Sequence, residues 1–401
     1  MQMKSYTVMI VAQDMTSPLD RRVWLEANTL KDFGCNVVIV CPNSRMFPKL
    51  KETIDGISIF RYPQLIEGKS IVTTALEYLI ASFFLFFYHI WIVFKCKVNV
   101  IQYCNPPDFL FMFGFLAKRA LGVSLIFDQH DLSPELLLTK GFSEKSILYK
   151  LLDKLETLCM KNVDAVVFAS HSFLIKSVQK KALRTTNYNV IKTGPKRDFG
   201  KSYERLEFKN EEIDFSVGYV GRMGSQDNVS VLLEAISIIV FEFNFTKIEL
   251  KLVGDGPECL KLRNLAKKLR IERHVQFLGY ISEENRISRV LKECTIAVCP
   301  DFPNEMNNKA SMNKITEYMA LELPIVQFNL EENVRTSGGF SKVVKENSSY
   351  ALASAIMELL NDSELRSHLA KGAKDRFLKL LCWESQEKKL LEVYARVLGI
   401  K

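Results

Sequence analysis

A chain of 401 residues is too long for one ordinary hydrophobic core and is expected to divide into two domains or three. Its 48% apolar and 25% charged content is that of a globular protein and excludes a disordered chain. The formal charge of +8 favours phosphorylated ligands or an anionic membrane surface, but the lysines are spread along the whole length without a dense basic arm, so nucleic acid is not an expected partner.

The N-terminal MQMKSYTVMIVAQD passes straight into a strand pattern and shows no cleavable signal. After TVMIVAQ, the cluster Asp20, Arg21, Arg22 starts a helix. Asp20 and Arg21 are candidate substrate contacts, and Arg22 reads first as a surface or inter-element salt bridge. Strand patterns NVVIVCP and ISIFRYP follow. The apolar run LIASFFLFFYHIWIVF, residues 79–94, is flanked by Lys95 and Lys97 and falls short of the about 20 residues that span a bilayer. A helix buried against a sheet is its first reading; an in-plane membrane helix and a spanning helix are the others.

The strand VNVIQYC leads into CNPPDF, residues 104–109. Its paired prolines make a rigid turn, and Asp108 is placed to cap a helix beginning near Phe109. Next, VSLIFDQ runs into DQHDLSPEL, residues 128–136, which gathers Asp128, His130, Asp131 and Glu135 at the end of a buried strand. A histidine there can shuttle a proton or donate to a sugar hydroxyl while a neighbouring carboxylate orients it. Equally, Asp131 or Ser133 caps a helix and His130 fills a turn. Strand patterns DAVVFAS and YNVIKTG close the first half, and RDFGKSYERLEFKNEE reads as a linker.

The pattern restarts with DFSVGYVG, IELKLVGDG, VQFLGYI, IAVCPD and PIVQFN. GYVGRMGSQDN turns from strand to helix with Gly221 and Gly224 giving backbone room, and Arg222 can fork onto a diphosphate. VGDGPE is a second such turn, with Pro257 suited to the first helical position. NNKASMNKITEYMALELP, residues 307–324, reads as a polar loop entering an amphipathic helix. Met312, Ile315 and Met319 form its core face while Lys314 and Glu317 share another. A helix start is electropositive and suits a phosphate; a surface ion pair is the rival account of Lys314 and Glu317. In the tail, Leu390, Leu391, Tyr394 and Val397 fall on one helical face.

Strands alternating with helices imply α/β architecture, two doubly wound parallel sheets, expected over residues 1–197 and 198–382, with helix 383–401 packing back on the first. The unusual residues gather beyond the carboxyl ends of the strands, where open parallel sheets bind ligands, and two facing sheets line one cleft with them. Nine cysteines without a CxxC pair read as buried thiols of a reducing cytosol, with no zinc site. Neither GxSxG nor HExxH occurs, which excludes a serine hydrolase of elbow type and a zincin.

Together, DRRVWLEANTLKDFGCNVVIVCP, CNPPD, FDQHDLSPEL, VGYVGRMG, LVGDGPE and SMNKITEYMALELPIV occur in an order and spacing that resemble the family 4 glycosyltransferases of GT-B architecture, two Rossmann-like domains clasping a nucleotide-sugar. The resemblance implies a C-terminal donor domain, an N-terminal acceptor domain, retention of anomeric configuration and no obligatory metal or other cofactor. Residue by residue, it implies that Glu317 accepts from the ribose hydroxyls, Arg222 neutralises the leaving diphosphate, and His130 stands near the transferred sugar; Asp131 beside it is the second catalytic candidate. It further implies that Gly254, Gly256 and Pro257 let the nucleotide approach the backbone. On the acceptor side stand Asp20, Arg21, Asp108 and Glu135.

Two positions depart from the family. Lys309 stands where the first of two paired glutamates belongs, eight residues before Glu317, and Asp227 stands where a lysine follows Arg222 by five. With these changes, Lys314 or Lys309, helped by backbone N–H groups from Ala310 through Ser311 to Asn313, is expected to hold the diphosphate. The implied activity is transfer of a sugar from a nucleotide diphosphate donor to a glycan or lipid-linked acceptor, in the cytoplasm or at the inner membrane face, with peripheral contact through 79–94. An epimerase of the same fold and a non-catalytic subunit of a transferase complex are the alternatives.

Overall fold

The computed structural model describes residues 6–66, 71–180, 183–201 and 213–400; most of the expected linker, residues 202–212, lies outside these, as do residues 1–5 of the N-terminal reading. The chain forms two compact units, one running to Thr193 and resuming at Gln386, the other from Gly194 to Ser385.

The first unit contains β1 (Thr7–Ala12), α1 (Arg21–Asp32), β2 (Asn36–Pro42), β3 (Lys51–Ile54), β4 (Ile57–Tyr62), α2 (Ile71–Cys96), β5 (Val100–Cys104), α3 (Phe111–Leu121), β6 (Ser124–Gln129), α4 (Ser133–Thr139), α5 (Ile147–Asn162), β7 (Ala165–Phe168), α6 (His171–Gln179) and β8 (Tyr188–Val190). Its sheet has the order β3-β4-β2-β1-β5-β6-β7-β8 and is parallel except for the β3–β4 hairpin. Every residue of β1, β5 and β7 is buried, as expected where helices cover both faces of a parallel sheet. The edge strand β3 escapes the sequence pattern because KETI is short, charged and only half-buried.

The second unit contains β9 (Phe215–Val220), α7 (Val229–Phe241), β10 (Ile248–Val253), α8 (Cys259–Lys268), β11 (Val275–Gly279), α9 (Glu284–Lys292), β12 (Ile296–Cys299), α10 (Glu305–Lys309), α11 (Asn313–Ala320), β13 (Ile325–Phe328), α12 (Glu331–Ser337), β14 (Lys342–Val344), α13 (Ser349–Asn361) and α14 (Ser363–Arg376). Its sheet, β11-β10-β9-β12-β13-β14, is parallel throughout. The last helix, α15 (Trp383–Val397), rejoins the first unit from Gln386, where Tyr394 donates its hydroxyl hydrogen to Gln102 at 2.5 Å and Asn187 donates to Val393 O at 3.1 Å.

Chain direction across each sheet reverses once, between β1 and β5 and between β9 and β12. At such a switch point the loops on the carboxyl ends part and leave a crevice. The segments after β1, β5 and β6 therefore converge in the first unit, and those after β9 and β12 in the second.

Helix α2 corrects the first reading of the apolar run. It is 26 residues long, and its stretch Leu76–Cys96 is long and apolar enough to cross a bilayer, yet only 28% of the most apolar window is buried. Ala81, Leu85, His89 and Ile92 face the unit's core, while Phe83, Phe87, Ile90, Trp91 and Phe94 are exposed. The inner face is tied to the sheet: His89 Nε2 meets the Tyr103 hydroxyl of β5, and Tyr88 donates to Arg61 O of β4 at 3.3 Å.

Candidate functional site

In the first unit the carboxylate of Asp128, at the end of β6, is a buried hub. Arg22 grips it with Nη2 at 2.6 Å from Oδ1 and Nε at 3.1 Å from Oδ2, while Gln102 donates at 3.2 Å and His130 Nε2 lies 2.7 Å from Oδ2. Arg22 is placed by the first turn of α1, whose start is fixed by Asp20 accepting from Val23 N–H at 3.1 Å. Its Nη1 also donates to Ile191 O at 2.6 Å. Gln102 joins the hub to Glu26 of α1 at 2.5 Å and to Tyr394 of the last helix.

Electrostatics follow from this packing. Burial disfavours the ionised Asp128, but Arg22 and His130 outweigh it and hold the carboxyl below its ordinary range. Burial likewise opposes a charged His130, yet the Asp128 carboxylate lifts its pKa well above 6.5. Glu26 is raised to about 8, first by burial and then by the Asp128 charge. The His130 side chain in this pair is 18% exposed.

Asn105 holds the adjoining turns together. Its Oδ1 accepts from His130 N–H at 2.7 Å and Asp131 N–H at 3.2 Å, while Nδ2 donates to Asp108 Oδ1 and to Asp131 O, each at 2.8 Å. Sequence reasoning passed over this residue; an asparagine followed by two prolines was the available signal. It also passed over Gln13, just past β1, whose amide is buried with neither polar atom hydrogen-bonded among the described residues. Such a group waits for a water or ligand hydroxyl.

Several expected site residues are placed differently. The carboxylate on His130 is Asp128, not Asp131; Asp131 is half-buried and pushed up to about 6 by burial. Asp108 does not cap the following helix: it is the first residue of a short 3-10 turn, buried, and raised to about 6 by burial. Glu135 is buried and ion-paired with Lys176 of α6, so its charge is already answered. Asp20 is committed to capping α1, and Arg21 is half-buried at the start of that helix.

Ligand atoms of Cys104, Asp128 and His130 lie within 4.8 Å of one another. The set does not fit a divalent ion, because Arg22 already fills both oxygens of Asp128 and burial pushes the Cys104 thiol up to about 12.

In the second unit the two glycine turns pack backbone against backbone. Gly221 N–H donates to Val253 O and Met223 N–H to Asp255 O, each at 3.0 Å. A Cβ on Gly254, whose φ is +132°, would lie 1.8 Å from Gly221 O, and one on Gly256 would lie 2.5 Å from Met223 O. These glycines are therefore demanded by loop-on-loop contact, a packing reason that stands beside the expected approach of a nucleotide. Pro257 is exposed and precedes Glu258, the cap of α8, so it is not the first helical residue. Arg222 is exposed, with no hydrogen bond from its guanidinium to a described residue, while its carbonyl accepts from the Tyr219 hydroxyl at 2.7 Å.

Lys314 proves to be buried. Its ammonium lies 2.9 Å from both oxygens of Asp301, 3.7 Å from Asp227 Oδ1 and 4.7 Å from the centre of the Tyr219 ring. Burial works against its charge, but Asp301 and the other neighbours keep its pKa well above 10.5. An ammonium already shared by two carboxylates is not a spare diphosphate ligand, which corrects that expectation. Asp227 in turn accepts from Gly224 N–H at 3.0 Å, so this network fixes the Arg222 loop to the start of α11.

The segment before α11 is also not a plain polar loop. Residues 305–309 form α10, capped by Asn304; Asn307 donates to Phe302 O at 2.9 Å and Gln226 O at 3.0 Å, and Asn308 accepts from Glu331 N–H at 2.8 Å. Lys309 is ion-paired with Glu305 at 2.8 Å on that helix. Helix α11 begins at Asn313 with Met312 as its cap residue, whose side chain caps nothing; Asn333 Oδ1 accepts from Met312 N–H at 3.3 Å and the Thr316 hydroxyl donates to Asn313 O at 2.7 Å. Ser311 is half-buried, Asn313 exposed and Glu317 half-buried one turn on. An uncapped helix start beside an exposed guanidinium at a sheet's switch point is an anion-binding arrangement.

Residues 214–362 match the family model described as Glycosyl transferases group 1. The chain is 28% identical over 198 residues to the uncharacterized glycosyltransferase MJ1178 of Methanocaldococcus jannaschii, covering 47% of this chain and 50% of that protein. It spans between half and two thirds of the length of the curated relatives it matches. Among solved structures it superposes on sucrose-phosphate synthase of Thermosynechococcus elongatus with a TM-score of 0.79 at 15% identity, covering 98% of this chain and 99% of that one. It also superposes on Anabaena Alr3699/HepE in complex with UDP, with a TM-score of 0.71 at 15% identity, covering 98% and 100%. These likenesses establish the GT-B fold of two Rossmann-like units.

Proposed function

We propose that this chain is a glycosyltransferase whose second unit holds a nucleotide diphosphate sugar and whose first unit holds the acceptor. The observation that carries the reading is the uncapped start of α11 beside the exposed Arg222, at the switch point between β9 and β12. The match of residues 214–362 to a glycosyl transferase family model and the fold shared with a UDP-bound neighbour support it.

In this reading the leaving diphosphate takes its positive partners from the Arg222 guanidinium and from the backbone N–H groups of Ser311 and Asn313, the Met312 N–H being taken by Asn333. Lys314 sets the geometry of both without touching the ligand. The bond between the anomeric carbon and the diphosphate oxygen breaks with its electron pair remaining on the diphosphate, so preorganised donors there act on the charge that grows in the transition state. Glu317, one turn along α11, accepts from the ribose hydroxyls. The acceptor hydroxyl forms the new bond at the anomeric carbon and gives up its proton to the departing diphosphate oxygen. In the first unit, His130, held by Asp128, is the donor to a sugar hydroxyl.

The reaction is proposed to retain anomeric configuration and to need no metal. The partly exposed aromatic face of α2 supports an acceptor presented at a membrane, lipid-linked or polysaccharide, and an enzyme seated on the cytoplasmic surface. The test is a radiolabelled nucleotide-sugar panel assayed with and without lipid-extracted acceptor. Label appearing in glycan or lipid only when acceptor is present supports transfer; conversion of the donor to an isomer without acceptor sinks it in favour of an epimerase.

A further inference from the structure

The C-terminal half of α2 and the length of α3 flank an open groove of about 240 Å³ whose walls include Phe86, Ile90, Phe94, Phe113, Leu116 and Leu121. His89 is its one polar wall residue; it is buried, its Nε2 is taken by the Tyr103 hydroxyl, and Nδ1 has no partner among the described residues. Burial pushes its pKa down to about 3, so the floor is uncharged. With Phe94 65% exposed and Leu116 62% exposed, the rim leaves large apolar area in water at roughly 25 cal/mol per Å². A groove this apolar cannot hold ordered water well, since water needs several polar partners.

What covers the groove is indicated by charge. Both helices return from the carboxyl to the amino edge of a parallel sheet, so their C-termini end side by side. There Lys95, Lys97 and Arg119 are exposed, with the Lys95 ammonium 4.3 Å from the Trp91 ring centre and the Arg119 guanidinium 4.9 Å from that of Phe115. Between Glu77 and Asp128 the sequence has one acidic residue, Asp108, and it is buried. Cations lying over aromatic rings at the end of an apolar helix face are arranged as at a lipid headgroup layer.

We propose that the α2–α3 groove binds one acyl chain of an anionic phospholipid, with the phosphate at Lys95, Lys97 and Arg119. This rests on the membrane-seated reading above and makes it specific. The acceptor's own chain is the poorer occupant, because the cationic end lies at the amino edge of the sheet while His130 and Asp108 stand at its carboxyl edge. The site would hold the first unit on the bilayer in one orientation.

The test uses the full chain and two probes: lysophosphatidylglycerol with a fluorescent acyl chain, kept below its micelle concentration, and vesicles of phosphatidylglycerol or phosphatidylcholine. The native protein is expected to bind the lysolipid. Ala117→Trp or Ala120→Phe, which fill the groove, should weaken that binding at least tenfold. Lys95→Glu combined with Arg119→Glu should abolish the preference for phosphatidylglycerol over the phosphatidylcholine analogue. Nucleoside diphosphate binding, unchanged in each variant, reports that it is folded. Vesicle binding without lysolipid binding, or lysolipid binding indifferent to both groove-filling variants, overturns the chain site while leaving membrane seating intact. No binding of either probe overturns both.

Discussion

Lys314 Nζ lies 2.9 Å from both carboxylate oxygens of Asp301, so the lysine that opens α11 spends its charge inside the second unit. Removing one member of a buried pair leaves the other uncompensated. Lys314→Ala is therefore expected to cost about 3–5 kcal/mol of stability, measured by urea denaturation. Lys314→Ala combined with Asp301→Ala should recover part of that loss. A single variant as stable as the parent would contradict the positioning role.

Arg222 should behave in the opposite way. Its side chain is exposed and makes no hydrogen bond to described residues, so Arg222→Ala is expected to change stability by less than about 0.5 kcal/mol. Losing a charge-assisted donor from the leaving group should lower kcat by roughly 100-fold. Parallel denaturation and initial-rate measurements check the split, and equal effects on both would refute it.

The His130–Asp128 pair gives a signed pH dependence. His130 is raised above 6.5, so its contribution is complete below pH 6.5 and is lost as pH rises through the higher folded value. Asp128 is depressed, so its contribution is present above 3.8 and is lost as pH falls through the lower folded value. NMR of the ring nitrogens should show His130 doubly protonated at pH 7.5. Asp128→Asn should lower its pKa, because burial is then no longer outweighed by the Asp128 charge.

Glu26 has the reverse sense for a carboxyl. Its folded pKa is raised from 4.5 to about 8, so stability is fully present below pH 4.5 and declines as pH rises to about 8. Glu26→Gln keeps an oxygen for Gln102 and removes the buried charge. Its unfolding free energy is expected to exceed the parent's above pH 8, by on the order of a few kcal/mol, and to match it near pH 4. A variant less stable at pH 9 would contradict this.

The sheets were legible because buried parallel strands are continuous apolar runs, as in TVMIVA, VIQYC and AVVF. The edge strands β3 and β14 were not, being short and partly solvated. The chemistry was legible only as neighbourhoods. DQHD announced a histidine beside carboxylates, but which carboxylate turns inward depends on Arg22, 106 positions away from Asp128, and no local pattern reports that distance. The same holds for Lys314: helical spacing put it on a polar face, whereas Asp301 and Asp227, from two other loops, draw it into the interior. Glycine-rich turns suggested room for a ligand, yet the space at Gly254 is filled by the chain's own Gly221. Backbone packing between loops leaves the same sequence signature as a nucleotide would.

The central claim is that the second unit receives a nucleoside diphosphate at Arg222 and the start of α11. Isothermal titration of UDP, GDP and ADP into the native protein and into Arg222→Ala tests it most directly. One of the three is expected to bind the native protein with one-site stoichiometry and to bind the variant at least tenfold more weakly. Failure of all three to bind, or equal affinity for the two proteins, would contradict the account.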